Sequence, residues 1–366
     1  MATIDKVLKS EEKAVFSLRA LYEKYGYSQY RMSKFEEYDL YVKNKDFLVS
    51  ENVITFTDTD GKLLALKPDV TLSIIKNDKD SLTGVKKVYY NEHVYRVSKG
   101  THSFKEIMQV GLECLGEVDD YVVCEVLYLA SKSLKYISDE SVLDISHLGI
   151  VKSIIDYAKI SNAGEKKILS YLGDKNVEGV KSICIEEGVD EKKQEILAKL
   201  VTVYGNPKKV LGELNCFNVS PDAEKAINEF TSLINNLIAL GVGENINVDF
   251  SVVNNMGYYN GVMFKGFVSG IPTGILSGGQ YDKLMEKMGK KSSAIGFAVY
   301  LDELEKLEEN NNEYDVDILL LYDQKCSLSN ILLKVKELTD NGETVLVQKS
   351  IPERIRFKRL IDCRGE

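Results

Sequence analysis

Lys87-Val88-Tyr89-Tyr90-Asn91-Glu92-His93-Val94-Tyr95-Arg96 and Phe104-Lys105-Glu106-Ile107-Met108-Gln109-Val110-Gly111-Leu112-Glu113-Cys114-Leu115-Gly116 decide the fold. Both runs are rich in β-branched and aromatic residues, and the polar loop Ser98-Lys99-Gly100-Thr101 lies between them. That pattern predicts a strand pair over 86–97 and 105–115. Alternation places Ile107, Gln109, Gly111 and Glu113 on one face of the second strand. Two polar residues and a glycine on one face fit a cleft floor and a solvent-facing sheet surface equally.

Upstream, Val15, Leu18, Leu21 and Tyr22 recur at helical spacing, and Gly26 closes that pattern over 9–25. Residues 27–42 are extended and aromatic. Val53-Ile54-Thr55-Phe56 and Leu63-Leu64-Ala65-Leu66 flank Asp60-Gly61, which is a hairpin signal. Pro68 stops the second of these strands, and Asp69 or Thr71 can cap a helix carrying Leu72, Ile74 and Ile75.

Downstream, 119–136 reads as a helix. Residues 150–240 carry Lys, Glu, Leu and Ile at helical spacing, broken at Gly173, Gly188, Gly205-Asn206-Pro207 and Pro221, as in a helical insertion. Strands are expected again at 246–253 and 258–269. Ser277-Gly278-Gly279 lacks the Lys-Ser/Thr ending of a nucleotide-binding P-loop and reads as a tight strand-to-helix turn. A helix over 282–288, the run from Ala294 to Leu304 and a polar linker at 308–313 follow. The remainder opens with Val316-Asp317-Ile318-Leu319-Leu320-Leu321, continues as a helix through 328–338 and adds a strand at 343–348, which is enough for one βαβ unit.

Composition excludes several classes. The chain has 366 residues, 44% hydrophobic and 28% charged, with a net charge of -9. It has ample material for packed cores, and its length fits two or three domains. No run approaches the ~20 apolar residues of a membrane span, and the charged start Met1-Ala2-Thr3-Ile4-Asp5-Lys6 is unlike a secretory signal. Six scattered cysteines without a Cys-x-x-Cys pair point to a reducing, cytoplasmic setting, away from disulfides or zinc. His93, His102 and His147 have no partner at ligand spacing, so no metal is expected. Arg354, Arg356, Lys358 and Arg359 form the densest basic cluster and read as a solvated basic end, not a nucleic-acid surface.

The polar groups placed on these elements are Asp69, Thr71, Arg96, Gln109, Glu113, Tyr258 and Tyr259. Carboxylates with a hydroxyl and an amide oxygen suit an ammonium, and an arginine suits a carboxylate or phosphate. Together they describe a small zwitterion pocket. No Ser-His-Asp or Cys-His constellation is legible.

The order of these segments, from about residue 10 to 305, resembles the catalytic domain of the histidyl-tRNA synthetase family. That resemblance implies an α+β fold: a class II aminoacyl-tRNA synthetase-like antiparallel sheet with flanking helices, over 1–310, carrying a helical insertion at about 150–240. A short truncated α/β C-terminal unit would occupy 314–366. Leu64-Ala65-Leu66-Lys67-Pro68-Asp69-Val70-Thr71 is similar to the segment that holds the amino acid's ammonium. Arg96 through Glu113 is similar to motif 2, and Tyr258-Tyr259-Asn260-Gly261 to the tyrosine pair beside the imidazole. Ser277-Gly278-Gly279-Gln280-Tyr281-Asp282 and Gly296-Phe297-Ala298 resemble the histidine signature and motif 3.

Three positions depart from the family pattern. Asn254 stands in place of the arginine that serves adenylate formation, Glu303 in place of the ATP-binding arginine, and Gln280 in place of the arginine of Gly-Gly-Arg-Tyr-Asp. An anion at a triphosphate site opposes the charge stabilisation that adenylyl transfer needs. Ser33 also replaces the usual motif 1 proline, at the family's dimer interface.

A pocket kept and catalysis lost resembles the regulatory subunits of ATP phosphoribosyltransferase. The resemblance implies a non-catalytic partner of a short-form catalytic subunit, needed for the first step of histidine biosynthesis and conferring feedback by L-histidine. It implies a homodimer within a hetero-oligomer and calls for no cofactor, no tRNA and no membrane. The short tail points the same way, since an anticodon-binding domain runs to on the order of 100 residues. A histidyl-tRNA synthetase, or a synthetase-like paralogue acting as an amino-acid sensor, is the alternative. In the implied pocket Asp69, Thr71 and Gln109 hold the ammonium, Glu113 and Tyr259 read the imidazole, and Arg96 faces the carboxylate.

Overall fold

The structure is a computed structural model that describes residues 8–45, 48, 53–78, 84–97, 103–253, 258–304 and 313–365. Asn254, and most of the linker expected at 308–313, lie outside the described residues. The chain divides into two compact units, one of residues 14–303 and one holding residues 304–366 with the start of the chain.

The strands, in chain order, are β1 (Ser28–Gln29), β2 (Phe35–Glu37), β3 (Thr55–Thr57), β4 (Leu63–Leu66), β5 (Val85–Val97), β6 (Phe104–Gly116), β7 (Ser141–His147), β8 (Tyr204–Gly205), β9 (Ile246–Asp249), β10 (Val262–Val268), β11 (Leu276–Gln280), β12 (Ser293–Tyr300), β13 (Val316–Leu321), β14 (Val345–Gln348) and β15 (Phe357–Asp362). In the larger unit nine of them form one sheet in the order β1-β5-β6-β12-β11-β10-β7-β9-β8. Every pairing is antiparallel except β1 with β5 and β7 with β9.

The expected strand pair forms the long β5–β6 ladder, in register from Val85 opposite Gly116 to Val97 opposite Phe104. The helix Asp120–Ile137 starts on Asp119, whose side chain accepts from the Val122 amide at 3.0 Å. It packs on β7, β10 and β12, and its Leu134 fills the space left by Gly266. Alternation then turns Lys265, the neighbour of Gly266, to the opposite face, where the cavity lies.

The Asp60-Gly61 hairpin forms as read. Asp58 Oδ1 accepts from the amides of Asp60 and Lys62, and Gly61 takes a left-handed φ of +81°. β2, β4 and β3 make a separate three-stranded sheet that leads into the helix Thr71–Asn77. Val70 is the N-cap position, and Asp69 just before it holds the first turn, its Oδ1 accepting from the Leu72 amide at 2.9 Å. Thr71, the other candidate, turns its hydroxyl elsewhere.

The segment after β7 is helical, as its breaks predict. Ser161, Asn176, Asp190, Asn206 and Ser220 each cap the helix that follows with a side-chain oxygen.

Several expectations need correction. Ser277-Gly278-Gly279 is not a turn but the middle of β11, paired on both sides with β10 and β12. β7 was not foreseen, and the 246–253 and 258–269 runs shorten to β9 and β10. In the smaller unit β13 pairs in parallel with β14 and also with an unforeseen β15. The basic end is therefore partly a strand, with Arg356 on Asp315 at 3.0 Å and Arg359 on Glu343 at 3.1 Å, so two of its cations are ion-paired. This unit has its own core of Ile318, Leu320, Ile331 and Leu338. The six cysteines are free thiols. No described helix is long and apolar enough to cross a membrane.

Candidate functional site

The floor of the site is a set of cross-strand rows. One row runs Glu113 on β6, Gly296 on β12, Gly279 on β11 and Met263 on β10. The next runs Tyr90, Gly111, Ala298, Ser277, Lys265, Asp144 and Asn247 across seven strands. Above this floor lies a cavity of about 460 Å³.

Glycines make room for the polar groups. A Cβ on Gly296 would fall 1.7 Å from Glu113 Oε2, and one on Gly111 would fall 2.4 Å from the Tyr90 hydroxyl. A Cβ on Gly279 would meet the Tyr259 ring at 2.7 Å. The glycine-rich run thus packs closely, as expected, but as a strand under the tyrosines.

Glu113 is the centre of the polar cluster. It is 2% exposed, and each of its oxygens accepts one hydroxyl. Thr71 Oγ1 donates to Oε1 at 2.7 Å, and Tyr281 OH donates to Oε2 at 2.6 Å. Burial pushes its carboxyl up to about 8, against those two bonds, and the nearby Asp69 adds to the rise. Burial also raises Asp69, tempered by the Leu72 amide and by Arg96. The phenols of Tyr90, Tyr258, Tyr259 and Tyr281 are pushed well above their usual range by burial first, so they are neutral hydroxyls.

The other groups have defined places. The Tyr258 and Tyr259 rings lie 4.6 Å apart, and Tyr258 also packs at 5.8 Å on Tyr281. Arg96 Nε donates to the Pro68 carbonyl at 3.0 Å, and the guanidinium lies 5.8 Å over the Tyr300 ring. Gln109 is 2% exposed and its Nε2 has no partner. A buried donor of this kind is normally satisfied, so it marks a place for an acceptor.

All seven pocket residues read from the sequence, Asp69, Thr71, Arg96, Gln109, Glu113, Tyr258 and Tyr259, line this one cavity. Sequence reasoning missed Tyr281, Tyr90 and Tyr300, and the charged far end made by Asp144, Lys175, Asp249 and Lys265. A signal existed for Lys265, the one charge in the apolar run Val262–Val268. For the tyrosines the signal is cross-strand pairing, which one sequence does not display.

Of the departures from the family pattern, Glu303 does not line the cavity and sits 3.4 Å from the Thr273 hydroxyl that donates to it. Gln280 turns back on the chain. Its Oε1 accepts from the Val262 amide at 2.8 Å, and its carbonyl from the Asn260 amide at 3.0 Å. Gly261 admits that side chain, since a Cβ there would lie 2.0 Å from Oε1. Gln280 therefore pins the segment that carries the tyrosine pair. Gln280→Leu is expected to cost about 1 kcal/mol of stability or more, by leaving an amide unpaired. Gln280→Glu, which keeps the acceptor, is expected to stay near wild type. Urea unfolding of both variants checks this.

The family model described as histidyl-tRNA synthetase matches residues 5–304. An ATP phosphoribosyltransferase regulatory subunit of Oceanobacillus iheyensis is 24% identical over 343 residues, covering 92% of this chain and 84% of the relative. Among solved structures, an ATP phosphoribosyltransferase regulatory subunit/histidyl-tRNA synthetase from Bacillus halodurans is similar, with a TM-score of 0.75 and 23% identity. It covers 97% of this chain and 94% of its own. A chain of the ATP phosphoribosyl transferase (HisG:HisZ) complex from Thermotoga maritima matches with a TM-score of 0.63 and 18% identity, covering 79% of this chain and 96% of that one. These structural likenesses concern the fold.

Proposed function

Because the chain belongs to the histidyl-tRNA synthetase family, we propose that it is a member without synthetase activity: the regulatory subunit of an ATP phosphoribosyltransferase. It assembles with a short-form catalytic subunit, is required for the first step of histidine biosynthesis and confers feedback by histidine. Its own pocket binds L-histidine and charges no tRNA. The names carried by relatives such as that of Oceanobacillus iheyensis support the partner. The observation that carries the reading is the contrast within the site. The groups suited to an amino acid converge on one cavity, whereas Gln280 is spent on backbone amides and Glu303 lies off the cavity. Neither supplies the cation that adenylyl transfer uses.

In this reading Asp69 and the lone pairs of Thr71 take the ammonium, and Glu113 with Tyr259 takes the imidazole. Gln109 differs from the sequence expectation. Its unpartnered Nε2 is a donor, so it serves the carboxylate beside Arg96 and not the ammonium. Feedback then needs histidine to bind one arrangement of the assembly better than another.

Co-expression with a short-form catalytic subunit is the test. The two chains are expected to co-purify, and phosphoribosyl-ATP formation is expected to need both and to fall when histidine is added. Histidine-dependent ATP–pyrophosphate exchange by the pure chain would restore the synthetase reading, which the intact amino-acid half of the site favours.

A further inference from the structure

The groups assigned to histidine occupy one half of the cavity, on β5, β6, the start of the helix Thr71–Asn77 and the segment before β10. The other half has no occupant in that assignment. Its floor continues the second cross-strand row: Ser277 lies opposite Lys265, Lys265 opposite Asp144, and Asp144 opposite Asn247. Opposed residues stand about 5 Å apart at Cβ, so these four polar side chains share one face.

Most of the charge there is already committed. Asp144 accepts from Asn247 Nδ2 at 3.2 Å. Asp249 accepts from Lys175 Nζ at 2.7 Å and from the Ser251 amide at 2.8 Å. Burial pushes the Asp144 carboxyl up and Asp249 adds to the rise, while the Asn247 hydrogen bond, Lys175 and Lys265 hold it down. Lys265 is the exception. Its stem lies over Gly274, where a Cβ would come within 2.4 Å of Lys265 Cε. Among the described residues its ammonium makes no ion pair within 4.0 Å, and it sits 5.3 Å over the Phe267 ring. Asp144, opposite it on β7, is the counter-charge it feels and is itself bonded to Asn247, and no hydrogen bond among the described residues takes the donors of the ammonium.

We propose that this distal half is an anion subsite, in which Lys265 and the Ser277 hydroxyl take a phosphate or carboxylate group. Three strand steps separate Glu113 on β6 from Lys265 on β10, about 14 Å at the usual spacing. The subsite therefore lies toward the opposite end of the cavity floor from Glu113 and fills alongside histidine.

The full-length protein is titrated with inorganic phosphate, and separately with acetate, at constant ionic strength set by chloride, with and without histidine. Calorimetry is expected to show one saturable anion, of either kind, the preferred one identifying the group. Lys265→Met is expected to weaken it at least tenfold, Lys265→Arg to keep it, and histidine affinity to change less than twofold in either. An unchanged Lys265→Met variant, no binding above the chloride control, or displacement of the anion by histidine would each overturn the proposal. Anion binding that persists when histidine fails to bind would overturn only the histidine reading.

Discussion

Glu113→Gln is expected to weaken histidine binding at least tenfold while leaving the fold in place. The carboxylate is buried and already organised by Thr71 and Tyr281. Losing a charge-assisted bond to it costs ~1.5–3 kcal/mol, and about 1.4 kcal/mol is tenfold in affinity. Glutamine keeps the shape, whereas Glu113→Ala would also strand two buried hydroxyls. The same group sets a pH dependence. Its carboxyl is pushed up to about 8 by burial, so below that pH it carries a proton that must leave before the carboxylate can accept the N–H of a neutral imidazole. Affinity is therefore expected to rise with pH toward 8 in the wild type and to stay flat in Glu113→Gln. The unliganded fold has the opposite slope. A folded pKa above the unfolded value gives stability that is present below about pH 4.3 and lost as pH rises through 8. Calorimetric titrations between pH 6 and 8.5 check the first effect and thermal melts the second. An unchanged affinity would place the histidine site elsewhere.

Gly296→Ala is expected to be the most damaging single-methyl substitution in the larger unit. The new Cβ would stand 1.7 Å from Glu113 Oε2 and 2.5 Å from the Leu112 carbonyl. The carboxylate cannot withdraw without breaking its bonds to Thr71 and Tyr281, and the carbonyl belongs to β6 beside β12. Overpacking of this kind costs about 1–3 kcal/mol or more, or several degrees of melting temperature in a chain of this size. Gly212→Ala is the control. Nothing lies within 4 Å of a Cβ there, and the residue sits in the helix Pro207–Glu213. It is expected to raise stability by roughly 0.5–1 kcal/mol. Equal melting curves for the two variants would refute the close-packing account of the floor.

The sequence was readable where local chemistry and tertiary structure agree. β5 and β6 announce themselves by alternation, and Gln109 and Glu113 prove to line a cavity and not an outer surface, with Gly111 making room for Tyr90. The helices after β7 begin at residues that cap and often at a proline. β7 carries the same alternation, Leu143 and Ile145 with Asp144 and Ser146, but over only seven residues between two helices. β11 was hidden because glycines are poor strand formers. They are needed there because Tyr259 and the β12 backbone come too close for side chains. β15 was masked by the basic residues in and beside it, whose acidic partners Asp315 and Glu343 are 41 and 16 residues away in sequence. For the site, motif order located seven residues that line one cavity. It could not locate Tyr281 as the partner of Glu113, because that contact depends on how β6, β12 and β11 are stacked.

That stacking also sets a clock. β6 carries Glu113, but the strand that completes its free edge is β12, made after the whole helical segment. At about 5–20 residues per second, a growing chain waits roughly 10–40 seconds between synthesis of Glu113 and of its neighbour Gly296. During that interval β6 presents an unpaired edge with a carboxylate whose hydroxyl partner Tyr281 does not yet exist. Open edges of this length recruit other chains. The late synthesis of β12 thus leaves β6 open to such pairing until residue 300 is made.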